Sequence, residues 1–75
     1  MSTLRDALVE FALEKKKFMS ELEDSELPRT TSFVKSAFDL IRRVENGTYK
    51  QTYGDISYAA NRLRSYRGKI MDACE

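Results

Sequence analysis

Apolar residues recur every three or four positions through the first part of the chain, which is the spacing of an amphipathic helix. One stripe of this helix carries Leu4, Ala7, Leu8, Phe11, Phe18, Met19 and Leu22, with Ala12 at its edge. Thr3 followed by Asp6 forms a start that resembles a capping box. Pro28 disfavours helical geometry at Leu27. The pattern therefore predicts a long first helix that is broken within residues 23–32.

The other sides of the first helix carry charge and two isolated apolar side chains. Lys15 lies inside the apolar stripe, where its stem is expected to cover apolar surface while the ammonium reaches water. The acidic ridge of this helix consists of Asp6, Glu10, Glu14, Glu21 and Asp24. We interpret the ridge as a solvated face helped by nearby lysines. Val9 and Leu13, four residues apart, point away from the stripe and hint at a contact with a second subunit or partner.

The second helix is predicted from about Phe33 to Glu45, after the possible N-caps at residues 30–32. Its broad apolar face comprises Phe33, Val34, Ala37, Phe38, Leu40, Ile41 and Val44. Such a face is wide enough to pack against two neighbours. Its solvent side carries Lys35, Asp39, Arg42 and Asn46. Asn46-Gly47 supplies the stop, because glycine accepts the left-handed conformation of a helix C-terminus.

Residues 48–54 alternate as a strand would, but no other segment offers a pairing partner. We interpret them as a loop whose Tyr49 and Tyr53 cover the end of the bundle. The alternative is an edge segment that pairs with a copy of itself across a dimer. The third helix then begins near Asp55, or from Thr52 with Asp55 as the acid of a capping box, and continues to about Ala73.

The third helix places one apolar stripe against the other two helices. Its members are Ile56, Ala59, Ala60, Leu63, Tyr66, Ile70 and Cys74. The three amphipathic segments and short connections predict an all-α fold. Specifically, we expect a small three-helix bundle, in which a helical hairpin of the last two helices joins a long N-terminal helix. Residues 1–75 are predicted to form a single helical domain.

Composition limits the class of protein. The chain has 75 residues, of which 41% are hydrophobic and 33% charged, and a net charge of +1. A core of this size is only just sufficient, so a homo-oligomer is expected. Residues 1–29 carry a net charge of −2 and residues 30–75 carry +3. This mild asymmetry would let the acidic part of one molecule meet the basic part of another.

The sequence pattern predicts neither a signal peptide nor a membrane span. Arg5, Asp6 and Glu10 stand where a signal peptide needs an uncharged core, and no apolar run approaches about 18 residues. We therefore expect a protein in the cytoplasm of its cell or of an infected host, without a membrane partner. Cys74 is the only cysteine, and it is interpreted as an incidental thiol.

The sequence lacks the residues that several kinds of catalytic, metal-binding and phosphate-binding sites require. The chain contains no histidine, so neither a nucleophile with its usual base nor an imidazole metal site can form. No glycine-rich turn matches a phosphate-binding loop. We predict a protein that is not an enzyme and that has no cofactor and no metal.

The stretch of residues 61–69 is basic, but its cations do not share one side of the third helix. On a helical wheel, Arg62 and Lys69 flank one edge of the apolar stripe, Arg64 flanks the other, and Arg67 points into the stripe. A helix that reads nucleic acid presents such side chains together. The opposite face consists of Ser57, Asn61, Ser65, Gly68 and Asp72. It is either a solvent face or a second packing surface.

The sequence allows two roles for several of the arginines, pairing with a carboxylate of the fold or contributing to a basic surface or site. Arg67 is expected to meet a carboxylate of the neighbouring helix, such as Asp39 or Glu45, because an unpaired buried charge is costly. Similarly, Arg42 and Arg43 either pair with these two carboxylates or join a basic surface. The alternative for Arg67 is an anion-binding pocket for a phosphate or nucleotide, formed with Lys50, Arg64 and Tyr66.

The functional hypothesis is a non-catalytic interaction or regulatory protein, of the type found among adaptors, inhibitors and phage-encoded modulators. The predicted contact surface combines residues 48–54 with the last helix through Tyr53, Tyr58, Arg62, Ser65 and Lys69. Its partner would be another protein of unknown identity, together with further copies of the chain. The alternative is nucleic-acid or small-nucleotide binding by the basic C-terminal helix.

Overall fold

The computed structural model describes residues 3–73, which form three α-helices and no strand. They are α1 (Leu4–Ser25), α2 (Ser32–Glu45) and α3 (Tyr53–Ala73). α1 and α2 each pack against α3, and the α1–α3 interface is the larger. The predicted all-α three-helix bundle is therefore confirmed. The Cα positions extend over 38 × 23 × 14 Å. Cys74 lies outside the described residues.

The direction of the helices follows from their contacts. Arg64 contacts Glu10 while Arg67 contacts Glu21, so α1 and α3 run in the same direction. The edge-to-face ring pair of Phe18 and Phe38, with centroids 5.9 Å apart, joins α1 to α2. Lys15 of α1 also pairs with Glu45 at the far end of α2, so the ammonium that was expected in water has a carboxylate partner. α2 thus runs opposite to the other two helices.

α1 begins as the sequence predicts and ends in an unusual way. The Thr3 hydroxyl accepts a hydrogen bond from the Asp6 N–H at 3.2 Å, and the Asp6 carboxylate accepts one from the Thr3 N–H at 3.1 Å. At the other end, Glu26 has a φ of 61°. Glycine normally occupies this left-handed position because a Cβ atom is strained there. α1 therefore ends on a residue that the conformation disfavours.

α2 begins near Thr31, whose side chain makes no capping hydrogen bond. Its C-terminus agrees with the sequence, because Gly47 adopts a φ of 73° directly after Asn46. The following segment is a loop, as predicted, and Tyr49 is partly buried against the core. The loop holds α2 through Gln51, whose amide donates to the Val44 carbonyl at 3.3 Å.

The expected position of Tyr53 is wrong. α3 begins at Tyr53 because the Thr52 hydroxyl accepts from the Asp55 N–H at 3.2 Å and the Thr52 carbonyl accepts from the Ile56 N–H at 3.0 Å. This start follows the earlier of the two predicted positions. It places Tyr53 in the exposed first turn of the helix, so Tyr49 alone of this pair covers the core.

The core is continuous through all three helices. Its buried apolar residues are Ala7, Phe11, Phe18, Leu22, Val34, Ala37, Ile41, Val44, Ile56, Ala59, Ala60, Leu63, Tyr66 and Ile70. Each belongs to a stripe that the spacing of apolar residues predicted. Within residues 3–73, no helix combines the length and the apolar character that crossing a membrane requires.

Candidate functional site

The cations of α3 face two different neighbours, as the helical wheel indicated. Arg64 and Arg67 lie on the side that meets α1, where both make ion pairs. Arg62 and Lys69 lie on the other side, next to the Tyr66 ring. The two sides differ in how far their charge is neutralised, and this difference locates the candidate site.

On the α1 side, Glu14 is the centre of an ion-pair cluster. Its side chain is almost completely buried, with 4% of its surface exposed. One carboxylate oxygen accepts from Arg64 at 3.1 Å and the other from Arg67 at 3.0 Å. Glu10 adds a second contact to Arg64 at 3.1 Å, and Glu21 lies 3.6 Å from Arg67. These five side chains, which we call the Glu14 cluster, join α1 to α3.

The Glu14 cluster corrects the interpretation of the acidic ridge. The ridge was expected to be a solvated face, but Glu14 is buried and Glu10 and Glu21 are only partly exposed. The reason is that the acidic ridge borders the apolar stripe of α1. When α3 packs on the stripe, it also covers the neighbouring side of the ridge. Hydrogen bonds from Arg64 to Glu10 and Glu14 raise the pKa of Arg64 further above its ordinary value. The cations on this side are neutralised within the fold.

The expected partners of Arg67 are also wrong. Arg67 was assigned to Asp39 or Glu45, but it faces α1 rather than α2. Asp39 instead pairs with Arg42 at 2.7 Å and with Arg43 at 3.0 Å. Glu45 is the partner of Lys15. Of the two alternatives for Arg42 and Arg43, the pairing with Asp39 therefore holds.

On the α2 side, an open cleft of about 450 Å³ lies between α2, the following loop and α3. Its principal lining residues are Lys35, Asp39, Leu40 and Arg43 from α2, Tyr49 from the loop, and Tyr58, Arg62 and Tyr66 from α3. We call it the tyrosine cleft. These lining residues include three aromatic rings, three cations and one carboxylate. This composition suits recognition of an anionic group that is attached to an apolar one.

Tyr66 holds the α3 wall of the cleft in place. Its ring is buried in the core, while its hydroxyl accepts a hydrogen bond from Arg62 at 3.0 Å. The guanidinium of Arg62 also lies 5.1 Å from the ring centroid, and the ammonium of Lys69 lies 5.8 Å from it. The hydrogen bond to Tyr66 raises the pKa of Arg62 further above its ordinary value. Arg62 therefore stays charged and oriented without a carboxylate.

The cleft carries charge that the fold leaves uncompensated. Among residues 3–73, Lys35, Arg62 and Lys69 make no ion pair. Asp39, the carboxylate of the lining, is already paired with Arg42 and Arg43. The contrast of Arg62 and Lys69 with Arg64 and Arg67 is direct, because these four cations belong to the same helix.

The residues of the predicted contact surface fall in different places. Tyr58 and Arg62 line the tyrosine cleft, and Lys69 lies beside Tyr66. Ser65 is exposed, and neither it nor Tyr53 is part of the lining. The predicted surface is thus partly assembled around the cleft.

The residues of the alternative anion-binding set are not brought together. Arg64 and Arg67 belong to the Glu14 cluster, whereas Tyr66 faces the cleft. Lys50 is exposed in the loop and does not line the cleft.

Sequence reasoning missed the contribution of α2 to the cleft. The sequence pattern predicts Lys35 and Asp39 on the solvent side of α2, and it predicts for Tyr49 only a role in covering the end of the bundle. A usable signal existed, because Lys35, Asp39 and Arg43 follow each other at intervals of four residues and so share one side of a helix. What the sequence did not reveal was that this side adjoins Tyr58 and Arg62.

A second surface feature lies on the outer face of α1. Val9 and Leu13 have 55% and 54% of their surfaces exposed, so they do point away from the core. Leu13 borders a shallow depression with Lys16, Lys17 and Ser20. Within the described part of the chain, no group of acidic or cysteine side chains converges in a way that could hold a metal ion.

Comparisons with known proteins assign the chain to no group: no family model, no curated protein and no solved structure matches it. The geometry of residues 3–73 is therefore the basis for the function.

Proposed function

We propose that this protein is a non-catalytic interaction or regulatory protein of the adaptor or inhibitor type, which binds a protein partner through the tyrosine cleft. The observation that carries the proposal is the uneven neutralisation of charge on α3. Arg64 and Arg67 pair with α1 carboxylates, whereas Arg62 and Lys69 have no carboxylate partner among the described residues. Charge that the fold leaves unpaired beside exposed aromatic surface is available to a partner.

The side chains of the cleft are those that protein interfaces favour. Tyrosine and arginine are enriched at interfaces, and they carry much of the binding energy there. Tyr58 leaves 57% of its surface exposed at the cleft and can be covered by a partner. Arg62 is already oriented by Tyr66, so less side-chain entropy is lost on binding.

Nucleic-acid binding has less support. Its proposed residues lie on both sides of α3, and two of them are neutralised by Glu14. The net charge of +1 provides little attraction for a polyanion. Binding to a protein surface does not require a strongly positive net charge. A protein partner is therefore the better match for this cleft.

The proposal includes self-association and a cytoplasmic location. The second copy would contact the outer face of α1 at Val9 and Leu13, which are exposed although they are apolar. An additional interface would supplement the small core. This face is on α1, and the tyrosine cleft is between α2 and α3, so both contacts can form at once.

The experiment is affinity capture from the native host, with three forms of the tagged protein compared by mass spectrometry. The first is the wild type, and the second carries Lys35→Glu and Arg62→Glu in the cleft. The control carries Arg29→Glu and Lys50→Glu, which make the same charge change at exposed loop positions that neither line the cleft nor belong to α1, and that make no ion pair among the described residues. We expect a stoichiometric protein that the wild type and the control retain and the cleft variant loses. Recovery of nucleic acid instead, or equal recovery by all three, would contradict the proposal.

A further inference from the structure

We infer that the tyrosine cleft binds a short acidic segment of its partner, in which a carboxylate stands next to an apolar side chain; this inference rests on the proposed interaction function. The occupant follows from the charge and the surface of the cleft. Each wall supplies one cation without an ion pair among residues 3–73, Lys35 on α2 and Arg62 on α3. An acidic segment lying between these walls meets a cation on either side.

The carboxylate already in the cleft does not take the place of the ligand. Asp39 lines the cleft, but its two oxygens are engaged by Arg42 at 2.7 Å and Arg43 at 3.0 Å. These pairs lie within α2 and do not reach Arg62 on the opposite wall. The positive charge of Lys35 and Arg62 therefore remains for a carboxylate that comes from outside.

The apolar part of the segment is indicated by the aromatic and aliphatic lining. Tyr58 is largely exposed, while Tyr49 and Leu40 are half-buried with surface left towards the cleft. Covering such surface with an apolar side chain is favourable in proportion to the area removed from water. A segment that carries acidic side chains alone would leave this surface exposed, so both kinds of side chain are required.

A peptide suits this cleft better than a nucleotide. Tyr66 is buried, and Arg62 and Lys69 lie against its ring, so the ring offers no open face for a base. One guanidinium nitrogen of Arg43 already faces Asp39, and one of Arg62 donates to the Tyr66 hydroxyl, so neither side chain is wholly free for a phosphate.

The test is selection from a random library of short peptides displayed on phage, with the full chain as the target. Peptides bound by the wild type are re-examined against the Lys35→Glu/Arg62→Glu variant and the Arg29→Glu/Lys50→Glu control. We expect enrichment of Asp and Glu beside an apolar residue, with binding kept by the control and lost by the cleft variant. Circular dichroism verifies that each variant keeps its helix content.

A synthetic copy of a selected peptide gives the magnitude by fluorescence polarisation. Arg62→Gln alone is expected to weaken binding by about fivefold, the upper range for one exposed ion pair, and raised salt should weaken binding to the wild type. Tyr58→Ala should weaken it at both salt concentrations, because this contact is apolar.

Three results would overturn the inference. Selection of neutral or basic peptides whose binding depends on Lys35 and Arg62 would contradict an acidic segment as the ligand. It would leave the proposed interaction function intact. The absence of any cleft-dependent peptide would remove the inference as well, and capture of a folded partner would still decide the proposed function separately. ATP or a single-stranded oligonucleotide that binds in a cleft-dependent way, where acidic peptides do not, would replace both with the nucleotide alternative.

Discussion

Glu14 shows how much one side chain contributes to the arrangement of two helices. It is a charged residue within the buried surface of the bundle, and both of its carboxylate oxygens accept hydrogen bonds from α3. A buried carboxylate is tolerated when its charge and its lone pairs are satisfied. Glu14 thus stabilises the α1–α3 interface only as long as its arginine partners remain.

Replacing Glu14 with Gln should destabilise the fold. The substitution keeps the size of the side chain but leaves Arg67 facing an amide in a mostly buried position. We expect a loss of about 2 kcal/mol in the free energy of unfolding, which is less than for a fully buried pair because Arg64 is half exposed. Urea denaturation followed by circular dichroism measures this change.

The double variant Glu14→Met/Arg67→Met serves as the matched control, because apolar side chains of similar volume replace the pair. It should recover most of the stability that Glu14→Gln loses. Equal destabilisation of both variants would indicate that the packing of this position, and not its charge, is what matters.

The C-terminus of α1 shows a conflict between a residue and its backbone conformation. Glu26 adopts the left-handed region, with a φ of 61°, where glycine is preferred. The chain accepts this because Ser25 holds the turn: its hydroxyl donates to the Leu22 carbonyl at 2.9 Å and accepts from the Leu27 N–H at 3.2 Å. The helix therefore stops where the sequence contains no glycine signal.

Glu26→Gly should stabilise the protein by about 1 kcal/mol, because the substitution removes the strain of a Cβ atom at positive φ. For a domain of this size the midpoint of thermal unfolding should rise by about 4–8 °C. Differential scanning calorimetry checks the shift.

Glu23→Gly is the control, since the same change inside α1 should instead lower stability by about 1 kcal/mol. A destabilised Glu26→Gly variant would mean that contacts of the Glu26 side chain stabilise the fold by more than the strain at its positive φ destabilises it.

At the scale of the whole molecule, the sequence predicted the elements better than their contacts. Each helix has its own apolar stripe and its own start or stop signals, so its existence follows from local sequence. The partners of Arg67 and the burial of Glu14 depend on which sides of α1 and α3 meet. The rotation of α1 and α3 about their own axes is set jointly by the packing of all three helices. The apolar stripe of one helix does not determine it.

The same limit explains how far the candidate site could be predicted. The sequence predicts that Arg62 and Lys69 lie at one edge of the apolar stripe of α3, which is a property of that helix alone. Lys35 and Tyr49 join them only because α2 and its loop pack beside that side. Residues contributed by one helix were predictable, and residues contributed by its neighbour were not.

Self-association through α1 predicts a specific effect of Leu13→Glu. Light scattering at high protein concentration should report a homo-oligomer for the wild type and a monomer for this variant. Its stability as a monomer should change by less than about 0.5 kcal/mol, because the Leu13 side chain is more than half exposed.

Met71→Glu provides the control for self-association, as Met71 is an equally exposed apolar residue on α3. This variant should keep the mass of the wild type. A wild-type protein that remains monomeric at high concentration would exclude self-association while leaving the tyrosine cleft available to other proteins.

The parallel arrangement of α1 and α3 has a consequence for how the chain reaches its fold. These helices share the larger interface, yet Arg64 and Glu10 are 54 residues apart, so the chain must close a long loop before this interface forms. During synthesis, α2 can cover only part of the apolar stripe of α1, through the contact of Phe38 with Phe18, until α3 has left the ribosome. Over this interval the nascent chain presents a surface that chaperones bind and that promotes aggregation.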